Sequence, residues 1–323
     1  GAVAPPQPII SDQSDAAEPW SANSLIIPGN FSGTSPRTEV LVYQVPLGKW
    51  CLYRWDATSG FVALGPAQFG WGIGGWIIPI QVSGSAQTHV LFYSPSRGEG
   101  QVFVWNAVQA SMEPVGPLMT GWSSTLKIIP GNFVNPTASQ LLFYDFVAGV
   151  GTMKGFDAAT GLVHIGPDRP GWRTTWQIAP LTLPGFPITS FLLYDPTLGE
   201  AMVCHWDTAG GEASMTPLQV GWRRTWNIVP AHNSAQDNAV LFHDTASGQL
   251  FCFKFGYSGG EATMENGWVF PDGSTTNGPA TLDGAELAIY QAQIIPGDFS
   301  GTGREFYFHL PRTSVSGGTP TNF

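Results

Sequence analysis

A Trp followed eight residues later by Pro, and then by an apolar strand ending in an aromatic, recurs along this chain at a nearly fixed interval. The pairs are Trp20/Pro28, Trp71/Pro79, Trp122/Pro130, Trp172/Pro180 and Trp222/Pro230, and successive prolines stand 51, 51, 50 and 50 residues apart. A sixth copy, Ile294-Ile295-Pro296-Gly297-Asp298-Phe299, nearly repeats Ile26-Ile27-Pro28-Gly29-Asn30-Phe31. Self-similarity at a period of roughly 40–50 residues, with several short strands in each unit, is the signature of a β-propeller. The chain therefore reads as all-β, built of four-stranded antiparallel blades.

Unit three, from Trp122 to Gly171, shows how a blade is written. Leu126–Pro130 reads as strand a, and Pro130-Gly131 reads as a turn in which Gly supplies φ > 0. Gln140–Tyr144 is apolar on both faces, as strand b must be when neighbouring sheets cover it. Thr152–Phe156 alternates as strand c, and Asp157-Ala-Ala-Thr-Gly161 is the hairpin to strand d at Leu162–Ile165. Asp56 and Asp207 occupy the place of Asp157, and an Asp followed closely by Gly reads as Asx-turn chemistry rather than a catalytic carboxylate.

Strand b recurs as Val40–Tyr43, Val90–Tyr93, Leu141–Tyr144, Phe191–Tyr194, Val240–His243 and Glu305–His309, which makes six units starting near 20, 71, 122, 172, 222 and 289. Trp268 and Pro296 lie 28 residues apart instead of eight, so 269–288 reads as an inserted loop. After His309 there is room for one strand near Thr313–Val315, and Pro8-Ile9-Ile10 stands where a strand d would. A propeller must close its ring or expose strand edges. The expectation is one six-bladed domain over 1–323, its last blade closed by C-terminal strands and an N-terminal strand from 1–19.

Composition narrows the partners. Charged residues are 11% of the chain, the net charge is −10 and only four residues are Lys, which excludes the clustered cations that a nucleic-acid partner needs. The longest apolar stretch, Phe69–Val82, is cut by four glycines and a proline and is too short to span a membrane. Cys51, Cys204 and Cys252 each fall in strand c of their own unit, so they read as three buried free thiols rather than a disulfide framework. The first residue is Gly, which fits a removed signal peptide, a tag scar or excision from a longer protein; few Lys and many Trp, Asn, Ser and Thr point to a secreted protein.

Three constellations could carry chemistry. The first is the corner loop: Trp172-Arg173-Thr174-Thr175-Trp176 and Trp222-Arg223-Arg224-Thr225-Trp226, with Trp71 and Trp76 in unit two. The first Trp of each loop reads as a wedge between blades. An indole beside a guanidinium fork can also hold a sugar, the ring stacking on the apolar C–H face and Arg taking hydroxyls. The second lies two residues after each Pro: Asn30, Gln81, Asn132, Thr182, His232 and Asp298, all polar and all different. Turn capping accounts for Asn30, Asn132 and Asp298; a site at an axial channel mouth, centred on His232 and Asp298, is the alternative. The third is the six histidines, none at metal-site spacing; with no calcium-loop run of alternating Asp, no metal or cofactor is expected.

The phrase Gly171-Trp-Arg-Thr-Thr-Trp-Gln-Ile-Ala-Pro180, followed by Phe191-Leu-Leu-Tyr-Asp195, resembles repeats of secreted bacterial propeller proteins, most closely the Photorhabdus-type propeller lectins. That resemblance implies glycan or polysaccharide ligands bound without catalysis in grooves between adjacent blades. Those lectins are generally seven-bladed, whereas six units are counted here, and the corner phrase is complete only around Trp172 and Trp222. Two other readings stand beside it: a polysaccharide-degrading enzyme using His232, Asp298 and Asp237 at the axial mouth, where a second ring carboxylate is missing, and a protein-interaction scaffold. Partnership with further copies as a homo-oligomer fits either.

Overall fold

The computed structural model describes residues 24–35, 38–56, 58–233, 237–246 and 250–266, and the short segments 268–269, 275–276, 293–297 and 305–309. They form antiparallel sheets in which, within a unit, strands a to d each pair with the next in sequence. Unit one runs Ser24–Gly29, Glu39–Gln44, Lys49–Asp56 and Gly60–Ala63 as strands a to d. Unit two runs Trp76–Gln81, Thr88–Ser94, Glu99–Asn106 and Ser111–Thr120. Unit three runs Leu126–Gly131, Gln140–Asp145, Val150–Asp157 and Gly161–His164, and unit four Gln177–Thr182, Thr189–Asp195, Glu200–Asp207 and Gly211–Ser214. Unit five runs Trp226–Asn233, Asp237–Asp244, Leu250–Ser258 and Glu261–Asn266.

The architecture is all-β and propeller-like, but six four-stranded blades are not what the described residues show. Five sheets follow the a-to-d path, two of them with a short fifth strand, and Gln293–Gly297 pairs with Glu305–His309 as a sheet of two. The a strands abut in ring order from unit one to unit five, unit five then meets Gln293–Gly297, and that strand returns to unit one. Pro8–Ile10 and Thr313–Val315, expected to complete the last blade, lie outside the described residues. Of the insertion after Trp268, only a small pairing of Trp268–Val269 with Thr275–Thr276 is described.

Strand b explains the cores. Its residues are buried on both sides, and the two-residue period sends alternate side chains to opposite neighbours. Phe191 and Leu193 join Leu142 and Tyr144 of unit three, whereas Leu192 and Tyr194 join Val240 and Phe242 of unit five. The hydrophobic cores therefore lie between blades, and each blade requires its neighbours.

Two recurring links fasten successive blades. At one end, the Tyr closing strand b donates its hydroxyl to a carbonyl in the next corner loop: Tyr43 to Gly72, Tyr93 to Ser123, Tyr144 to Arg173 and Tyr194 to Arg223. At the other end the free edge of strand a finds partners one unit ahead. The N–H of Asn30 donates to Thr88 Oγ1 at 2.9 Å, that of Gln81 to Ser139 Oγ at 2.8 Å and that of Asn132 to Thr189 Oγ1 at 2.9 Å. Backbone N–H groups of Thr88, Ser139 and Thr189 donate back to the same three residues' carbonyls. The unpaired edge groups are thus satisfied.

The Pro-Gly turn is corrected. Gly29 and Gly131 end strands, and neither has a positive φ. Their requirement is space: a Cβ on Gly29 would lie 2.8 Å from the Phe31 ring, and one on Gly131 2.7 Å from the Phe133 ring. Where Ile80 and Leu181 replace Gly, the residue two further on is the smaller Val82 or Leu183. The Asx turns are as expected, Asp56, Asp157 and Asp207 each accepting from the backbone N–H groups that follow.

Burial raises the pKa of all four latch tyrosines, with Tyr194 pushed up to about 12. The folded chain therefore holds these protons more tightly than the unfolded chain. Their contribution is complete below about pH 10 and falls as the pH climbs towards the folded value. Urea midpoints are expected to be level from pH 8 to 10 and to drop steeply by pH 12, with a shallower drop for Tyr194→Phe. Parallel pH profiles for the variant and wild type would refute that coupling.

Candidate functional site

The corner indoles are wedges. Trp172 is 5% exposed and lies between Tyr144 of unit three and Phe191 of unit four, at centroid distances of 5.9 and 6.1 Å. Its ring covers Gly151, where a Cβ would come within 2.7 Å, and its Nε1–H donates to Glu212 Oε2 at 3.2 Å. Trp71, Trp122 and Trp222 occupy the same place at the other joints but are only half-buried.

The second indoles do not form the platforms expected of them. Trp176 and Trp226 are each 9% exposed and belong to the inter-blade cores, Trp226 lying 4.9 Å from Phe242 and 5.6 Å from Phe253. A sugar needs an open ring face, and these rings are packed against protein. Trp76 behaves differently because it is one residue further along the ladder. It pairs with Tyr93 as Gln177 pairs with Tyr194, so its counterpart is Gln177 rather than Trp176. A one-residue step reverses the face of a strand, and Trp76 is 51% exposed. Gly75 takes the place of Trp176, and a Cβ there would strike the Phe92 ring.

The arginines are also engaged by protein. Arg173 Nη1 meets Asp195 Oδ2 at 3.1 Å and Glu200 Oε2 at 2.6 Å, and Arg223 Nη1 meets Asp244 Oδ2 at 2.9 Å. Burial works against ionisation of Asp195, but hydrogen bonds from Thr175, Arg173 and the N–H groups of Thr197 and Leu198 outweigh it and hold its pKa below the ordinary value. Arg224 is exposed. At the proposed axial ring, Asn30 and Asn132 are the inter-blade tethers already described, with Asn132 Nδ2 also donating to Pro136 O at 2.9 Å. The His232 backbone pairs with Asn238; its side chain and Asp298 lie outside the described residues.

Among the described residues no group of three or more His, Cys, Asp and Glu could hold a metal. His89 is buried, its Nδ1 3.1 Å from Gln87 O, and burial lowers its pKa. Cys51 and Cys204 are free and buried, and the Cys204 thiol lies 3.4 Å from Glu212 Oε1. Burial pushes both thiols up, away from reactivity. The Cys252 side chain lies outside the described residues. No helix among the described residues is long and apolar enough to cross a membrane.

Two surfaces remain that could receive a ligand. One is a shallow groove between units four and five, lined by half-buried Trp222 together with Thr216, Gln219, Ala262, Thr263 and Met264. The other is the set of residues three before each repeat Pro on the a strands, Leu25, Trp76, Lys127, Gln177 and Asn227, opposite Tyr43, Tyr93, Tyr144, Tyr194 and His243. Sequence reading missed Gln219, Thr263, Lys127, Gln177 and Asn227. The ladder register that groups the last three was visible as a constant distance from the repeat motif, three residues before the Pro in every unit.

No protein-family model and no curated protein matches the chain. Solved structures share its fold at low identity. The SapL1 lectin, determined in complex with alpha methyl fucoside, is 11% identical with a TM-score of 0.50, over 75% of this chain and 79% of that one. A putative 6-phosphogluconolactonase from Bacteroides fragilis is 10% identical with a TM-score of 0.47, over 72% of this chain and 67% of that one. A protein from Lactobacillus plantarum is 10% identical with a TM-score of 0.48, over 71% and 67%.

Proposed function

We propose that this chain is a secreted, six-bladed propeller that binds carbohydrate without catalysis in grooves between blades. The observation that carries the reading is the groove between units four and five. There Trp222, Gln219 and Thr263 line one concavity, and an indole with an amide and a hydroxyl in reach is a pairing that suits a pyranose. The groove is shallow: its space of about 220 Å³ takes in open solvent, and its closed part has room for little more than a water molecule. A sugar residue would rest across its mouth and be held weakly, and binding to a glycan surface would then depend on several such contacts acting together. The fucoside bound by the SapL1 lectin makes neutral deoxysugars the first ligands to try.

Gln219 is half-buried and Thr263 exposed, so both can be truncated without opening a core. A glycan array probed with the wild-type chain and with the Gln219→Ala/Thr263→Ala variant is expected to show a coherent neutral-glycan set that the variant binds at least tenfold more weakly. Equal signals from the two proteins, or no glycan bound by folded wild type, would remove the reading.

A further inference from the structure

We infer that the axial mouth on the corner-loop face is a second binding site, separate from the inter-blade groove, shaped for an acidic sugar such as a hexuronic acid. Leu25, Trp76, Lys127, Gln177 and Asn227 each lie near the start of strand a at the same ladder height, and the a strands abut in ring order. These five residues therefore succeed one another around one mouth.

Trp76 supplies the platform. Its ring is 51% exposed, and its corner loop, Gly70-Trp71-Gly72-Ile73-Gly74-Gly75, carries glycines where other units carry Arg, Ser or Thr. Nothing lies within 4 Å of where a Cβ on Gly74 would stand. An exposed indole without a covering side chain can stack on the C–H face of a pyranose.

Further round the same mouth, two amides are held by one another and by the backbone. Ile228 N–H donates to Gln177 Oε1 at 3.2 Å, and Gln177 Nε2–H donates to Asn227 Oδ1 at 3.4 Å. Each amide oxygen thereby accepts a hydrogen bond from within the protein, and Asn227 is exposed. Lys127 follows Trp76 in the ring. Its ammonium sits 5.6 Å over the Phe146 ring, with no carboxylate in ion-pair range among the described residues. Arg173, by contrast, is taken up by Asp195 and Glu200. An open indole with an ammonium on the neighbouring strand of the same mouth asks for a ring that carries an anionic acceptor, and a sugar carboxylate is that group. The chain's net charge of −10 offers anions no general attraction, so uronate binding would report this local arrangement.

The test is calorimetric titration of the full chain with methyl glucuronide and with methyl glucoside. The glucuronide is expected to bind at least tenfold more tightly. Trp76→Ala and Lys127→Gln should each weaken it tenfold or more, while Gln219→Ala leaves it unchanged. Both mouth residues are on the surface, so circular dichroism should show an unaltered fold. Equal affinity for the two sugars, no uronide binding, or insensitivity to both mouth substitutions would overturn the assignment. Loss through Gln219→Ala instead would also overturn it, placing the ligand in the groove; the neutral-glycan reading is judged separately, by the array.

Discussion

Trp172→Ala should lower the free energy of unfolding by about 3–5 kcal/mol, the range for truncating a large buried aromatic, whereas Trp76→Ala should change it by under about 0.5 kcal/mol. Both are tryptophans of corner loops, and the difference lies in what surrounds them. The Trp172 ring fills the seam between units three and four, against Tyr144, Phe191 and Trp176, and lies flat over a glycine that leaves room for nothing else. Its removal opens a cavity that two blades would have to close together. It also takes the Nε1–H from Glu212, a carboxylate that shares its pocket with the buried Cys204 thiol and the Arg169 guanidinium. Urea unfolding followed by circular dichroism separates the two variants. Equal midpoints would mean that the corner Trp is not a structural wedge, and the sugar-stacking role given to it from sequence would return.

The propeller could be read from the chain because each blade repeats the same burial problem. Strand b must be apolar on both faces, the corner must fill a seam, and the edge of strand a must be tied off. Selection against exposed edges and open seams writes the same residues every 50 or 51 positions. The sites were harder to read because a ligand-facing position differs from a core position by a single residue. Trp176 and Trp76 each follow a corner Trp, at four and five residues respectively. That one step decides between a packed ring and an open one. Every corner Trp stands eight residues before its Pro, so either landmark gives the ladder register, with Trp76 three residues before its Pro and Trp176 four. Arg173 and Arg223 looked available because their partners, Asp195 and Asp244, are 22 and 21 residues away and enter the loop only when strand b folds back. Likewise, Gly131 reads as a turn residue until the Phe133 ring is seen folded over it.

Gly149→Ala should cost about 2–5 kcal/mol, and Gly171→Ala only about 1 kcal/mol, although both glycines have left-handed φ values, +65° and +84°. The conformational penalty is common to both. Around Gly171 there is nothing within 4 Å of an added Cβ, so that penalty is the whole effect. At Gly149 the Cβ would run into the carbonyl oxygen of Trp172, in the next unit's corner loop. The clash is with backbone, which cannot rotate away. Relieving it would stretch the Trp172 N–H to Gly149 O bond, 2.9 Å long, and move the adjoining Arg173 carbonyl that receives the Tyr144 hydroxyl. Matching losses from the two variants, measured by urea unfolding, would show that the close approach contributes nothing. Gly48, Gly98 and Gly199 make the same approach to Trp71, Trp122 and Trp222, so the joint is a repeated device. Joints in separate seams share no partners, and a Gly98→Ala/Gly149→Ala double variant should therefore lose the sum of the single losses to within about 0.5 kcal/mol. A markedly larger loss would mean that the seams yield together, as a ring that opens at one joint and unravels at the next.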